Sequence, residues 1–332
     1  NILKRYTELN KWVDRFLRDP NLAKGELKST LEKLKVASMR KHAEELRKSK
    51  HFKDCGAMYS KLANQYQDDP RWAEMLFNAA ICFEAAKLIG QAIQIRNTLI
   101  KIKPKDPLAQ KAMHMIGGNY HALSWYSRAA AYYEKFARKF PGEKEAPKAL
   151  QNAIVFRMGQ GDYDEAIDNA KYFERKFGGR GKYKSKVAAV IFSLGSIYEA
   201  RGHKEAVIKH YTKYLRKWGR HGGVDRKIQA HVKIGEVLWE QSCPGKGVND
   251  ACIKIKRVRS KRKLKKRKRR RGKRRKKKTI ELKTQCGPET KMKVTVLRRN
   301  PAKKRKALTH FKKALQLFRR TGGGKGVKGE NK

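Results

Sequence analysis

The sequence predicts an all-α protein of about six stacked helix pairs, with a small basic β-hairpin-like insertion in the last pair. Three observations predict this fold: a helix-pair pattern that recurs along most of the chain, Pro and Gly turn signals between the copies, and a last copy whose two helices are separated by about 60 residues. Of the 332 residues, 39% are hydrophobic. That is enough apolar material for one extended array.

The recurring pattern consists of a small residue, an aromatic residue or Leu three positions later, and a second small residue about nine positions after that. In the second copy these are Gly117, Tyr120 and Ala129, followed by Tyr133 and Phe136. Small residues let two antiparallel helices approach closely, and the aromatic rings fill the seam between them. The leading small residues are spaced by 37, 36, 42 and 40 residues, at Ala80, Gly117, Ala153, Gly195 and Gly235.

The N-terminal part departs from this pattern. Residues 1–25 carry apolar side chains at helical spacing up to the breaker at Pro20, which predicts a short amphipathic helix. Residues 26–70 predict a divergent helix pair, and terminal pairs of repeat arrays are often divergent because they cap the stack. Residues 71–241 then hold the regular pairs, separated by turn signals such as Pro141-Gly142.

The last repeat is interrupted. Its first helix ends near residue 241, and residues with the spacing of a second helix follow only at Ala307, Phe311, Ala314 and Phe318. Residues 242–301 are therefore an insertion, within which alternating apolar residues predict two or three short strands. Residues 302–320 complete the repeat, and the Gly- and Lys-rich tail at 321–332 is expected to be unstructured.

The small and aromatic residues quoted above resemble those of the tetratricopeptide repeat (TPR) family over roughly residues 50 to 320. The resemblance implies a superhelical solenoid. Spacings longer than the family's usual length, with linkers such as KFPGEKEAPKAL, are similar to TPR proteins of bacterial cell envelopes, for example the outer-membrane assembly lipoproteins. This similarity favours a location in the bacterial periplasm or at the envelope and leaves the cytoplasm open.

The resemblance also implies a role in binding. First helices of TPR pairs line a concave groove, where a protein or peptide partner binds. The first copy supplies Phe77, Ile81 and Glu84 to this groove, and the later copies supply His114, His121, Arg157, Ser196, Glu199, Glu236 and Trp239. We find no arrangement of nucleophile, base and oxyanion donor and no metal or cofactor motif in the sequence, so we expect a scaffold without catalytic activity.

Charge is the second large signal. Lys and Arg total 84 against 30 Asp and Glu, which gives a net charge of +54. Residues 254–278 hold 20 basic residues and no acidic one, and the chain would keep +34 without them. Such a run favours an anionic partner, namely lipid, polysaccharide or nucleic acid, although a solvated loop stays open as the alternative. The candidate contacts are Lys261, Arg262, Lys263, Lys265, Lys266, Arg267, Lys268, Arg269, Arg270, Arg271, Lys273, Arg274 and Arg275.

The five cysteines fall into two groups. Cys55 and Cys82 occupy packing positions of helices, where we expect each thiol to act as a small apolar residue. Cys243, Cys252 and Cys286 lie in the insertion, and three cysteines without a nearby His make an incomplete zinc site. A disulfide is expected in an oxidising compartment, either Cys252 with Cys286 or Cys243 with Cys252, and three reduced thiols are expected in the cytosol.

The sequence thus predicts a scaffold that binds protein partners in its groove and an anionic partner at its insertion. The alternative is an intracellular adaptor that associates with nucleic acid through the same basic run. No stretch of the chain approaches the roughly 18 to 20 apolar residues that span a bilayer.

Overall fold

The fold is seen in a computed structural model, which describes residues 2–248, 251–258, 279–282 and 291–321. The chain divides into two compact units, Asn1–Lys176 and Phe177–Lys332.

The first eight helices of this unit pack in chain order, each on the next, and small side chains such as Ala43, Ala79 and Ala112 are buried where they meet. Two of these helices begin with a proline in the first turn, where its missing N–H costs no hydrogen bond. The helices are α1 (Ile2–Arg18), α2 (Gly25–Lys48), α3 (Phe52–Gln65), α4 (Trp72–Ala85), α5 (Ile89–Ile102), α6 (Pro107–Ala122), α7 (Tyr126–Lys139), α8 (Ala146–Gln160) and α9 (Tyr163–Phe177).

The second unit continues with helices and a small sheet. A 3₁₀ turn at Gly181–Tyr183 leads into the first helix, and the most extensive packing of the unit joins its last two helices. The helices are α10 (Lys184–Ser193), α11 (Gly195–Ala200), α12 (Lys204–Lys217), α13 (Gly223–Gln241) and α14 (Pro301–Arg320).

The turns between the two helices of a pair share one backbone conformation. Each contains a residue with positive φ, and the next residue donates its N–H to the carbonyl five positions back, as in a Schellman helix terminus. The turn between α2 and α3 has the same geometry as the later ones, so the divergence predicted for this pair does not extend to its turn. The positive-φ residues are Lys50, Lys87, Ser124, Gly161 and Gly202.

A second regularity lies in the seams. The small residue of each first helix precedes a seam residue of the second helix by 16 positions, and in the last pair the interval from Gly235 to Phe311 is 76, which is longer by 60. The six pairs are Ala43/Tyr59, Ala80/Arg96, Gly117/Tyr133, Ala153/Asn169, Gly195/Tyr211 and Gly235/Phe311. The α13–α14 pair is therefore a normal repeat with an insertion at its turn. The predicted all-α TPR-type fold of about six helix pairs is confirmed.

The insertion contains an antiparallel sheet of four strands among the described residues, in the order β1-β2-β4-β3. We predicted two or three strands. The extra strand is the three-residue KGV, which is too short to show alternation in the sequence. The strands are β1 (Lys246–Val248), β2 (Ala251–Val258), β3 (Thr279–Leu282) and β4 (Lys291–Val296).

The bonding of the cysteines differs from the sequence-based expectation in one respect. Cys55 and Cys82 are buried at packing positions, as predicted, but they form a disulfide between α3 and α4, so the expectation of two apolar thiols is wrong. Packing of α3 on α4 brings the two Cα atoms to 5.9 Å, a normal distance for a disulfide, although 27 residues separate them in sequence. Cys243 is bonded to Cys252, which is one of the two predicted pairings. Cys286 lies outside the described residues.

Candidate partner-binding surface

His114, the first predicted groove residue, lies in a recess of about 270 Å³ on the first unit. Helices α4 and α6 contribute Phe77 and Met115 to the recess, and α7 contributes Phe136. The remaining lining residues are Pro107, Gln110, Lys111, Glu143 and Glu145. The first helices of two consecutive pairs thus form one concavity, as the resemblance implies for a groove.

The imidazole of His114 forms an aromatic wall of this recess. Its ring centroid lies 5.0 Å from that of Phe136 and 5.6 Å from that of Tyr133. Burial lowers the pKa of His114 below its ordinary value, so the ring is neutral near pH 7. A neutral imidazole among apolar side chains, with Lys111 and Glu145 nearby, suits a partner residue that is apolar at its centre and polar at its edge.

His121 lies two turns further along α6 and is exposed. Its ring centroid is 4.7 Å from that of Phe156 on α8. It borders an aromatic patch at the α6–α7 turn, where Trp125 is 52% exposed and Tyr126 is 41% exposed. The sequence pattern did not single out this patch, because Trp125 and Tyr126 lie between the recurring small and aromatic positions. The positive φ of Ser124, which precedes them, is not visible in the sequence.

Arg157 on α8 is engaged within the protein. Its Nε and one terminal nitrogen donate to the two carboxylate oxygens of Glu134 at 2.8 and 3.0 Å, and the other terminal nitrogen donates to Asp162 at 3.0 Å. Asn169 donates to the same Glu134 carboxylate at 2.7 Å. The hydrogen bonds that Arg157 donates to Glu134 raise the pKa of Arg157 above its usual range. This ion pair ties α7 to α8, and its effect on partner binding stays a prediction.

The second unit brings Glu199 and Glu236 together through a lysine. Lys233 Nζ lies 3.2 Å from the Glu199 carboxylate and 3.5 Å from that of Glu236. The Tyr211 hydroxyl donates to Glu199 at 2.8 Å, and burial together with this contact raises the pKa of Tyr211. Ser196 is exposed and donates its hydroxyl to the Ser193 carbonyl. Two of the four residues predicted for this unit therefore share one ion-pair cluster.

Trp239 is covered by a residue from the end of the insertion. The Arg299 guanidinium lies 4.1 Å from the centroid of the indole and donates to the Trp239 carbonyl at 2.8 Å. Lys304 Nζ lies 5.8 Å from the same ring. These residues line a recess of about 780 Å³ whose far side includes Cys252 and Val296. Trp239 thus faces the base of the insertion, a location that its position in a first helix does not indicate.

The predicted polyanion contacts, Lys261 to Arg275, lie outside the described residues. In the described part of the chain, no group of three or more His, Cys, Asp and Glu side chains is placed to hold a metal ion. None of the described helices is both long enough and apolar enough to cross a membrane.

Comparisons with known proteins give weak likenesses to TPR structures. No protein-family model and no curated protein sequence matches the chain. TPR-like repeats of a kinesin light chain from Podosopora anserina are 11% identical, with 56% of this chain and 96% of that chain covered and a TM-score of 0.37. MamA from AMB-1 is 16% identical over 58% of this chain and 96% of its own, with a TM-score of 0.37. BtubC from P. vanneervenii is 15% identical over 67% and 93%, also with a TM-score of 0.37.

At these TM-scores the likenesses carry no argument about this chain. The TPR-type assignment of the fold rests instead on the repeated turns and on the constant interval between seam residues.

Proposed function

We propose that this protein is a non-catalytic scaffold that binds a protein or peptide partner along the first helices of its repeats. The observation that carries the proposal is the recess formed by Phe77, His114 and Met115 on consecutive first helices. Its centre is apolar and aromatic and its edge is charged, a composition typical of protein interfaces. The second unit, taken by itself, carries the charged Glu199–Lys233–Glu236 cluster on its own first helices.

Site-specific photocrosslinking in the source cells tests the recess. A benzoylphenylalanine at Lys111, which lines the recess, is expected to give a discrete protein adduct. The matched control places the same group at Lys135, an exposed residue of α7, the second helix of that pair. Equal adduct formation at both positions, or none at Lys111, would contradict binding at this surface.

We place the scaffold in a bacterial cell envelope. Two disulfides support this proposal, because such bonds persist in the periplasm and are reduced in most cytosols. Trapping free thiols with a maleimide polymer during lysis of the source cells measures the oxidation state of Cys55 and Cys82. Full protection from the reagent is expected, whereas labelling of both cysteines in untreated cells would point to a reducing compartment.

The insertion is proposed to contact an anionic partner through the basic run. A chain that places 20 basic residues within residues 254–278 attracts polyanions and releases their counterions on binding. Deletion of residues 259–278 leaves strands β2 and β3 in the chain. It should flatten the dependence of log affinity for heparin on log salt concentration. Substitution of His114 by Ala is the control and should keep the slope. An unchanged slope after deletion would assign the run to a solvated loop.

The basic run also supports a second candidate, an intracellular adaptor that associates with nucleic acid. The run contains no aromatic residue to stack on a base, so such binding would track the phosphate backbone. Nuclease treatment of a native lysate separates the two candidates. Co-sedimentation with nucleic acid that disappears after nuclease treatment favours the adaptor, whereas association that survives favours the envelope scaffold.

A further inference from the structure

Helix α14 carries an exposed apolar strip on the side of the helix that flanks its contact with α13. Leu308, Leu315 and Phe318 are 41%, 47% and 45% exposed. Their spacing of seven and three residues places them along one stripe of the helix. On the inner side, Ala307 and Ala314 are buried against α13. The helix is thus apolar over more of its circumference than its packing on α13 covers.

In the α2–α3 pair, the second helix uses the corresponding stripe to pack against α4, the first helix of the next pair. Counted from the seam residues, Leu308 corresponds to Gly56 on α3. A Cβ atom at Gly56 would lie 2.8 Å from the ring of Phe83 on α4, so the two helices touch at this position. Seven residues on, the Ala63 carbonyl accepts a hydrogen bond from the Trp72 indole, also on α4, at 3.0 Å. The exposed strip of α14 therefore has the location of a helix-receiving surface.

The charge around this strip specifies its occupant. Helix α14 contains eight Lys and Arg residues and no acidic residue. Lys304 and Lys312 lie one helical turn before and after Leu308, and Arg319 lies one turn after Leu315. An apolar strip bordered by cations complements an amphipathic helix whose apolar face is bordered by carboxylates. A second copy of this chain, which also carries a large positive charge, would be repelled.

We propose that this strip binds an acidic amphipathic α-helix of a partner protein, which docks as the next first helix of the array. The strip consists of Leu308, Leu315 and Phe318 with the cations Lys304, Lys312 and Arg319. This surface is separate from the recess around His114, and binding at either surface can be lost while the other remains.

A helix of this protein provides a probe of the required chemistry. The α4 sequence from Trp72 to Ala85 packs on a second helix in the fold and contains two Glu and no Lys or Arg. A stapled, fluorescein-labelled peptide of this sequence, with Cys82→Ser, should bind the full chain in an anisotropy titration. Binding should weaken at least about tenfold in the triple variant Leu308→Gln, Leu315→Gln and Phe318→Gln.

Two controls separate charge from apolar contact. The variant Lys306→Gln with Lys313→Gln removes two cations from the other flank of α14 and should change affinity less than about twofold. A peptide with Glu74→Lys and Glu84→Lys should bind at least about tenfold more weakly than the acidic peptide. Equal binding of the two peptides, or unchanged binding to the triple variant with its circular dichroism intact, would overturn the proposal.

The remaining occupants give distinct results that would also overturn it. If the strip binds a membrane, the chain should bind vesicles of 30% phosphatidylglycerol, the triple variant should lose that binding, and the peptide should not bind. If the strip binds a second copy of the chain, sedimentation should show a dimer that becomes a monomer in the triple variant. The proposal predicts a monomer whose peptide binding is unaffected by such vesicles.

Discussion

Two adjacent glycines in α6 make the close packing of helices directly testable. A Cβ atom at Gly117 would lie 2.7 Å from the ring of Tyr133, about 1 Å inside a normal carbon–carbon contact. At Gly118 the nearest neighbour of a Cβ atom would be the Tyr133 hydroxyl at 3.8 Å, an ordinary contact. Both residues are helical, so substitution by Ala gains the same helix propensity, about 1 kcal/mol.

The free energies of unfolding of the two alanine variants should therefore differ by the packing penalty alone. Overpacking a seam costs about 1–3 kcal/mol, so Gly118→Ala should stabilise the fold by about 0.5–1 kcal/mol, whereas Gly117→Ala should be about 1–3 kcal/mol less stable than Gly118→Ala. Urea unfolding followed by circular dichroism at 222 nm measures both. Adding Tyr133→Leu to each should shrink the difference, since the obstructing ring is gone. Equal stabilisation by the two alanines would show that α6 and α7 do not meet as described.

Three further predictions follow from the same structure. Gly235→Ala should carry the same packing penalty of about 1–3 kcal/mol as Gly117→Ala, because its Cβ would lie 2.6 Å from the ring of Phe311. Hydrogen exchange in both helices measures it: the substitution should speed exchange more in the wild-type background than in a Phe311→Leu background, and an equal effect in the two backgrounds would contradict the pairing across the insertion. Replacing Cys55 and Cys82 with Ala should lower stability by about 3.5 kcal/mol, since the disulfide closes a loop of 27 residues in the unfolded chain, and urea unfolding measures the loss. Burial lowers the pKa of His231 to about 4. Below about pH 6.5 the unfolded state therefore binds a proton that the folded state does not bind until about pH 4. The melting temperature should thus fall between about pH 6.5 and pH 4, and should fall less in His231→Gln.

Much of the fold can be predicted from the sequence because the spacing of small and aromatic residues recurs in each helix pair. The small residues and the aromatic residues that pack on them recur often enough to define the helix pairs, and Phe311 keeps its register with Gly235 across 60 extra residues. The strands β2, β3 and β4 follow from alternation. Strand β1 does not, since three residues that include a glycine carry no period.

The Cys55–Cys82 bond was missed for a physical reason. Each cysteine occupies a helical packing position, and such a position is compatible with a thiol or with half a disulfide. The local sequence pattern does not show that α3 and α4 pack with these two positions facing each other. Only the tertiary packing brings their Cα atoms to 5.9 Å.

The sequence places candidate groove residues on first helices but does not show what they contact. Family resemblance locates His114 on a first helix, and the structure adds the recess around it. The partners of Arg157 and Trp239 were not predictable, because Glu134 belongs to the preceding second helix and Arg299 comes from the end of the insertion. Contacts between separate elements decide which of the predicted groove residues are already engaged inside the protein.

This chain is an array of helix pairs held together by contacts between neighbours. The most direct test is a truncation after Gly178, just beyond the first compact unit, Asn1–Lys176. An array predicts that residues 1–178 remain helical and melt cooperatively, because their core is formed within those residues. Loss of the 222 nm signal, or a melt without a transition, would contradict the account.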